Sequence, residues 1–320
     1  MSIILKINSM DPSLQNELDS EIKMVRSAIL KHTRTKYHGV RDIIEDVLDL
    51  NGKMLRPLFV LLAGHFGEYT SSKMVNLAAS IEMLHMATLI HDDIVDDSKL
   101  RRHRESVQSK YGKDMAVYTG DFLLAKSLSI LNAKEYEASH IERLAKGIER
   151  ICEAELLQYQ SRFKTMTFKN YLRIVSGKTA ALFAISLYVG ASESKCDDKL
   201  SNQLGRIGYE LGIAFQIIDD ILDFSEDHLN VGKSIKNDLK NGYFTLPVIL
   251  ALEEQNLNIE DFSDAKELLE GINLHKGIEY SRIIAKKYTK KAFKRVSKLP
   301  ESVAKDALEA VAKHMLDRDY

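Results

Sequence analysis

Proline is scarce in this chain: four among 320 residues, Pro12, Pro57, Pro247 and Pro300, against a usual share of about 5%. Because proline removes a backbone donor and breaks helix interiors, its scarcity permits long helices. Cysteine is scarcer still. Cys152 and Cys196 stand 44 positions apart, with no CxxC and no clustered histidine beside them. That excludes a disulfide framework and a cysteine-rich zinc site, and points to a reducing, cytoplasmic setting. No charge of one sign dominates, since 45 Lys+Arg against 46 Asp+Glu leave a formal charge of −1. Nucleic-acid binding driven by bulk positive charge is therefore excluded. Met1 to Met10 offers no basic flank, long apolar region or small-residue cleavage site, so no signal peptide is read there. The longest uncharged run, Thr179 to Ser192, falls short of the roughly 20 apolar residues of a membrane span and reads as a core helix.

Helical spacing is what the chain has in abundance. Across Met74 to Asp97 there is neither Gly nor Pro, and Leu77, Ile81, Leu84, Thr88 and Asp92 recur every three or four positions. Similar patterns predict helices in Ile22–Lys31, Gly120–Asn132, Ile141–Arg162, Leu204–Phe224, Leu246–Glu254 and Tyr280–Lys298. Breaks are expected at Asn51-Gly52, Gly64–Ser72, Gly112-Lys113, Gly190–Asp198 and His228–Gly242, none long or polar enough for an interdomain linker. One all-α domain over residues 1–320 is expected. Lys276 to Lys298 carries nine Lys/Arg and a single acid, Glu279, which suits a solvated basic face or a weak contact with anionic lipid headgroups.

Chemistry concentrates in two acidic islands. His91-Asp92-Asp93-Ile94-Val95-Asp96-Asp97 ends the apolar stretch MLHMATLI, and Asp92 and Asp96, four apart, share one helical face. Asp219-Asp220-Ile221-Leu222-Asp223 repeats the pattern after Ala214-Phe215-Gln216-Ile217-Ile218. Carboxylates at the end of a core-facing stripe are costly unless a cation compensates them. Hard oxygen donors so arranged suit Mg²⁺ shared with a substrate's phosphates. Facing one another, the two islands would make a polyanionic mouth. Cations accompany them: Lys53 and Arg56 three apart, Arg101-Arg102 after the first island, Lys178-Thr179, and Lys233. Arg and Lys both hold phosphate oxygens.

Two other chemistries compete. Gly177-Lys178-Thr179 and Gly232-Lys233-Ser234 end like a phosphate-binding P-loop, but the required first glycine is replaced by Leu172 and Asp227. His91-Asp92 also resembles the His-Asp ligand pair of helical metal-dependent phosphohydrolases, a reading that leaves the second DDxxD and the cations unused. No Ser-His-Asp triad or dinucleotide fingerprint is seen.

From about Leu50 to Leu250 the chain resembles the trans-polyprenyl diphosphate synthases. The resemblance is carried, in order, by GKMLRP, HMATLIHDDIVDDSKLRR, TGD at Thr119–Asp121, GKT, FQIIDDILDF and GKSIKNDLKNGYFTLP. It implies an all-α isoprenoid-synthase helical bundle around a deep central cavity, usually homodimeric, though some relatives need a small regulatory subunit. It further implies that Asp92, Asp96, Asp219 and Asp223 bind about three Mg²⁺ on an allylic diphosphate. Lys53, Arg56, His85 and Arg102 match the isopentenyl-diphosphate site. Arg101, Lys178, Thr179, Gln216 and Lys233 match the allylic-diphosphate contacts, and Asp92, Asp96, Lys178, Asp219 and Lys233 become the catalytic set. Short-chain members place a bulky aromatic four or five positions before the first motif. Here those positions are Thr88 and Ala87, with Leu84 and Ile81 below, which implies a long-chain product. Met54, His103 and Ser234-Ile235-Lys236 depart from the family pattern.

Overall fold

The structure, a computed structural model, describes residues 10–49, 53–101, 104–131, 136–224, 239 and 241–317. Its contacts form two compact units interleaved along the chain. Unit 1 comprises Met1–Leu144, Ile185–Leu204 and Pro300–Val311, and unit 2 comprises Ala145–Ala184, Gly205–Leu299 and Ala312–Tyr320.

In unit 1, helix α1 (Pro12–His32) starts where the Asp11 carboxylate accepts from the Ser13 and Leu14 amides, both at 3.0 Å, with Pro12 at the first turn. Such a cap contributes about 1 kcal/mol. Leu14, Leu18, Ile22, Val25 and Ile29 recur every three or four residues and are buried. Helices α2 (His38–Asp49) and α3 (Leu55–Gly64) follow. Helix α4 (Ser71–Val95) is flanked by α1, α3 and α6 (Lys113–Ser129). Its buried residues point all round its axis between Met74 and Ile90, so an apolar helix that would be insoluble alone is satisfied at the centre of the unit. A two-residue ribbon, Leu100–Arg101 against Arg104–Glu105, leads into α5 (Val107–Tyr111).

The helix α7 (Ala138–Gln160) precedes a nearly continuous run: α8 (Phe168–Val175), a π-helical turn Ser176–Ala180, and α9 (Ala181–Glu193). This run is long and apolar enough to cross a membrane by length and composition, and 83% of its most apolar window is buried inside the protein. It extends well beyond Thr179–Ser192 because its few cations sit on the first turns. The break expected at Gly190–Asp198 occurs at residues 194–197, directly after α9. Gly190 lies within α9, where a Cβ would come 2.3 Å from the Val60 carbonyl oxygen. Helix α10 (Asp198–Leu222) carries the second acidic island. The breaks at Asn51-Gly52 and through most of His228–Gly242, with all of Met1 to Met10 but Met10 itself, lie outside the described residues.

In unit 2 the helix Leu246–Gln255 lies along the helix Leu274–Val296. The approach is tightest at Gly277, where an added Cβ would stand 1.9 Å from the Pro247 carbonyl oxygen. Gly277→Ala must push the helices apart, and the expected loss is about 3 kcal/mol, read as a fall in the urea unfolding midpoint. A change under about 0.5 kcal/mol would show that the approach is not constrained.

Candidate active site

The first island occupies the last turn of α4. Asp92 and Asp96 are both half-buried, and the Asp96 amide donates to the Asp92 carbonyl at 2.9 Å, so the acids lie one turn apart on one side. Asp93, only 4% exposed, points the other way. Arg101 grips it with a two-pronged contact, Nε to Oδ2 at 2.8 Å and Nη2 to Oδ1 at 2.7 Å. Gln108 donates its side-chain amide to the Asp93 and Ser98 carbonyls, tying the segment after α4 to its end. The cation that the resemblance assigns to the diphosphate thus spends Nε and Nη2 on a neighbouring carboxylate.

Two turns earlier on α4, His85 accepts a hydrogen bond at Nε2 from Arg56 Nη1 at 2.9 Å. A guanidinium can only donate, so this His85 carries its proton on Nδ1 and is neutral. Arg56 reaches it from the first turn of α3, which begins at Met54 with φ of 51°. Met54, where the family pattern has a basic residue, is 6% exposed and in a left-handed conformation. A cavity of about 40 Å³ opens beside these groups, lined among others by Met54, His85, Met86, Ile90, Asp93 and Arg101. Lys53 is exposed. Of the chain-length positions, Ile81, Leu84 and Ala87 are buried, and half-buried Thr88 donates its hydroxyl to the His85 carbonyl at 2.8 Å.

Unit 2 assembles the second constellation around the π-helical turn. Gly177 lets that turn press against α7, where a Cβ would stand 2.5 Å from the Arg150 carbonyl oxygen. Lys178 is held there by Glu155 and Gln158, each at 3.0 Å from Nζ. Thr179 Oγ1 donates to Gln216 Oε1 at 2.7 Å, and Gln216 Nε2 donates to Asp220 Oδ1 at 2.9 Å. The other Asp220 oxygen accepts from the Tyr171 hydroxyl at 2.6 Å and the Leu246 amide at 3.2 Å. Burial pushes the Asp220 carboxyl up to about 6, against the pull of these donors. Burial, with Asp220 adjacent, likewise pushes the Tyr171 phenol up. Asp219 and Asp223 remain half-buried, one turn apart.

Each motif therefore divides in the same way, with an outer pair toward the surface and an inner acid bound by local donors. Oxygen donors at i and i+4 on a helix end fit a hard divalent cation such as Mg²⁺. Arg102 and Lys233 lie outside the described residues. Tyr171, Glu155, Gln158 and the inner acids carry no signal in a motif reading, although Asp93 and Asp220 are displaced by about 100° from the outer face on helical arithmetic alone.

The polyprenyl synthetase family model matches residues 38–273. The chain belongs to this family, and it is a prenyltransferase. It is 35% identical over 312 residues to heptaprenyl diphosphate synthase component 2 of Bacillus subtilis, covering 95% of this chain and 89% of that protein. It is also similar to the octaprenyl diphosphate synthase of Escherichia coli, at 29% identity over 95% of this chain and 98% of that one. Among solved structures, heptaprenyl diphosphate synthase from Staphylococcus aureus superposes with a TM-score of 0.88 at 34% identity, covering 95% of this chain and 99% of that one. The prenyltransferase fold is accordingly the all-α isoprenoid-synthase fold.

Removing the phenolic donor in Tyr171→Phe leaves Asp220 Oδ2 with the Leu246 amide, and a loss of about 1–2 kcal/mol of stability is expected. In an Asp220→Asn background the same change costs less. Additive effects in this double-mutant cycle would deny the coupling.

Proposed function

We propose that this prenyltransferase condenses isopentenyl diphosphate with an allylic diphosphate, farnesyl or geranylgeranyl, to make a long-chain all-trans polyprenyl diphosphate. The observation that carries the reading is the pair Ala87 and Thr88 on α4, small residues above Ile81 and Leu84, in a chain 35% identical to a heptaprenyl synthase component. No bulky aromatic stands there to limit the growing chain.

Asp92, Asp96, Asp219 and Asp223 are the residues that would hold Mg²⁺. When bound, Mg²⁺ supplies compensation for charge on the allylic diphosphate as its bond to carbon breaks. Lys178, Thr179 and Gln216, with Arg101 and Lys233, bind that diphosphate and stabilise its departure. Arg56, oriented by neutral His85, and Lys53 with Arg102 hold the diphosphate of isopentenyl diphosphate. The isopentenyl double bond then attacks the allylic carbon, a new carbon–carbon bond forms, and the proton lost passes to the released diphosphate. Apolar side chains of α4 exclude water from the electron-poor carbon. No strong side-chain nucleophile is needed.

A second reading has one observation in its favour: the relatives from Bacillus subtilis and Geobacillus stearothermophilus carry the designation component 2. In that reading the chain is a catalytic subunit that works only with a small partner subunit.

Purified chain supplied with Mg²⁺, labelled isopentenyl diphosphate and farnesyl diphosphate is expected to yield hexaprenyl or longer products. Products no longer than geranylgeranyl would overturn the long-chain reading, and activity only on adding a partner subunit would establish the second. Nucleotide hydrolysis without condensation would favour a phosphohydrolase. Asp92→Asn or Asp219→Asn is expected to lower kcat by about 10²–10³-fold. Ala87→Phe is expected to shorten the product by chromatography; an unchanged distribution would remove α4 from length control.

A further inference from the structure

The helix Leu274–Val296 buries one side only. Gly277, Ser281, Ala285, Ala292 and Val296 are turned inward, and Arg295 reaches Glu210 on α10 at 2.9 Å from that flank. Arg282, Lys286, Lys287, Lys290, Lys291 and Lys294 are all exposed. At 3.6 residues per turn, these six cations occupy an arc of about 180° over about 18 Å of helix. Neighbours on this stripe lie within a Debye length of about 8 Å at physiological salt, so their potentials add. No Asp or Glu occurs from Tyr280 to Lys298, and the preceding acid, Glu279, pairs with Lys276 at 2.9 Å. Local charge this strong stands out in a chain whose formal net charge is −1.

We propose that this face docks the protein on an anionic phospholipid surface. Ile283 sits near the middle of the arc and is 57% exposed. An aliphatic side chain with Arg282 beside it and Lys286 and Lys287 one turn on suits entry among lipid headgroups, with the cations at phosphate level. A nucleic-acid phosphate track has no use for it. Five of the six cations are lysines, point charges suited to a diffuse layer of headgroups rather than to the bidentate capture that arginine provides. The docking surface is independent of the condensation chemistry, although it rests on that reading for its use, the delivery of a lipid product to a bilayer.

Flotation of the full chain with phosphatidylcholine vesicles containing phosphatidylglycerol tests the proposal. Binding is expected to the mixed vesicles, not to pure phosphatidylcholine, and to be reversed by high salt. Each lysine near the surface contributes roughly fivefold in partitioning, so Lys286→Gln/Lys290→Gln/Lys294→Gln should bind about 100-fold more weakly. A triple variant with the same change in net charge elsewhere, Lys31→Gln/Arg34→Gln/Lys36→Gln, should bind like the unaltered chain. Equal loss in both triple variants, no loss in the first, or no binding to mixed vesicles would overturn the proposal. So would tighter binding to a DNA duplex at equal phosphate concentration. Condensation measured with detergent-dispersed substrates should be unchanged in the first triple variant; a chain that floats but never condenses would refute the proposed function and leave the docking face standing.

Discussion

A carboxylate buried next to another carboxylate must be satisfied from within the protein, and this constraint shapes both acidic motifs. Unpaired, such a group costs several kcal/mol. The two units meet the demand differently. Asp93 receives a full cation, the fork of Arg101, whereas among the described residues Asp220 receives neutral donors from Tyr171, Gln216 and the Leu246 amide. Burial raises the Asp220 carboxyl to about 6 despite these three donors. In both units the inner acid anchors the helix end and thereby fixes where the outer pair stands.

The outer pairs stand at a place a folded protein alone would avoid. Asp92 and Asp96 lie at the C-terminal end of α4, and Asp219 at the C-terminal end of α10 with Asp223 just beyond it. There the helix macrodipole is negative, and a carboxylate is disfavoured by about 0.3–1 kcal/mol. In each helix the proposed divalent cation would offset acids set against the dipole.

Much of this was legible in the chain. Proline scarcity and apolar spacing anticipate the long helices, and i, i+4 spacing by itself separates Asp92 and Asp96 from Asp93. Helix starts were less legible: α1 begins ten residues before the predicted Ile22, because its first turns depend on the Asp11 cap and Pro12 rather than on a long apolar run. The break predicted over Gly190–Asp198 begins later, after Glu193, because Gly190 serves a close helix approach. The partners of the inner acids were out of reach, since Tyr171 and Asp220 are 49 positions apart and no local pattern links them. The resemblance assigns Arg101 to the diphosphate, while its pairing with Asp93, eight positions back, carries no sequence signal.

The central claim is that the outer acids hold a divalent cation against a diphosphate. Calorimetric titration of the purified chain with inorganic pyrophosphate, in Mg²⁺ and again in EDTA, tests it most directly. The account predicts that Mg²⁺ tightens binding at least about 100-fold, equivalent to about 2.7 kcal/mol, and that Asp92→Asn together with Asp219→Asn abolishes the gain. Pyrophosphate binding that is indifferent to Mg²⁺, or a gain that survives both substitutions, would contradict it.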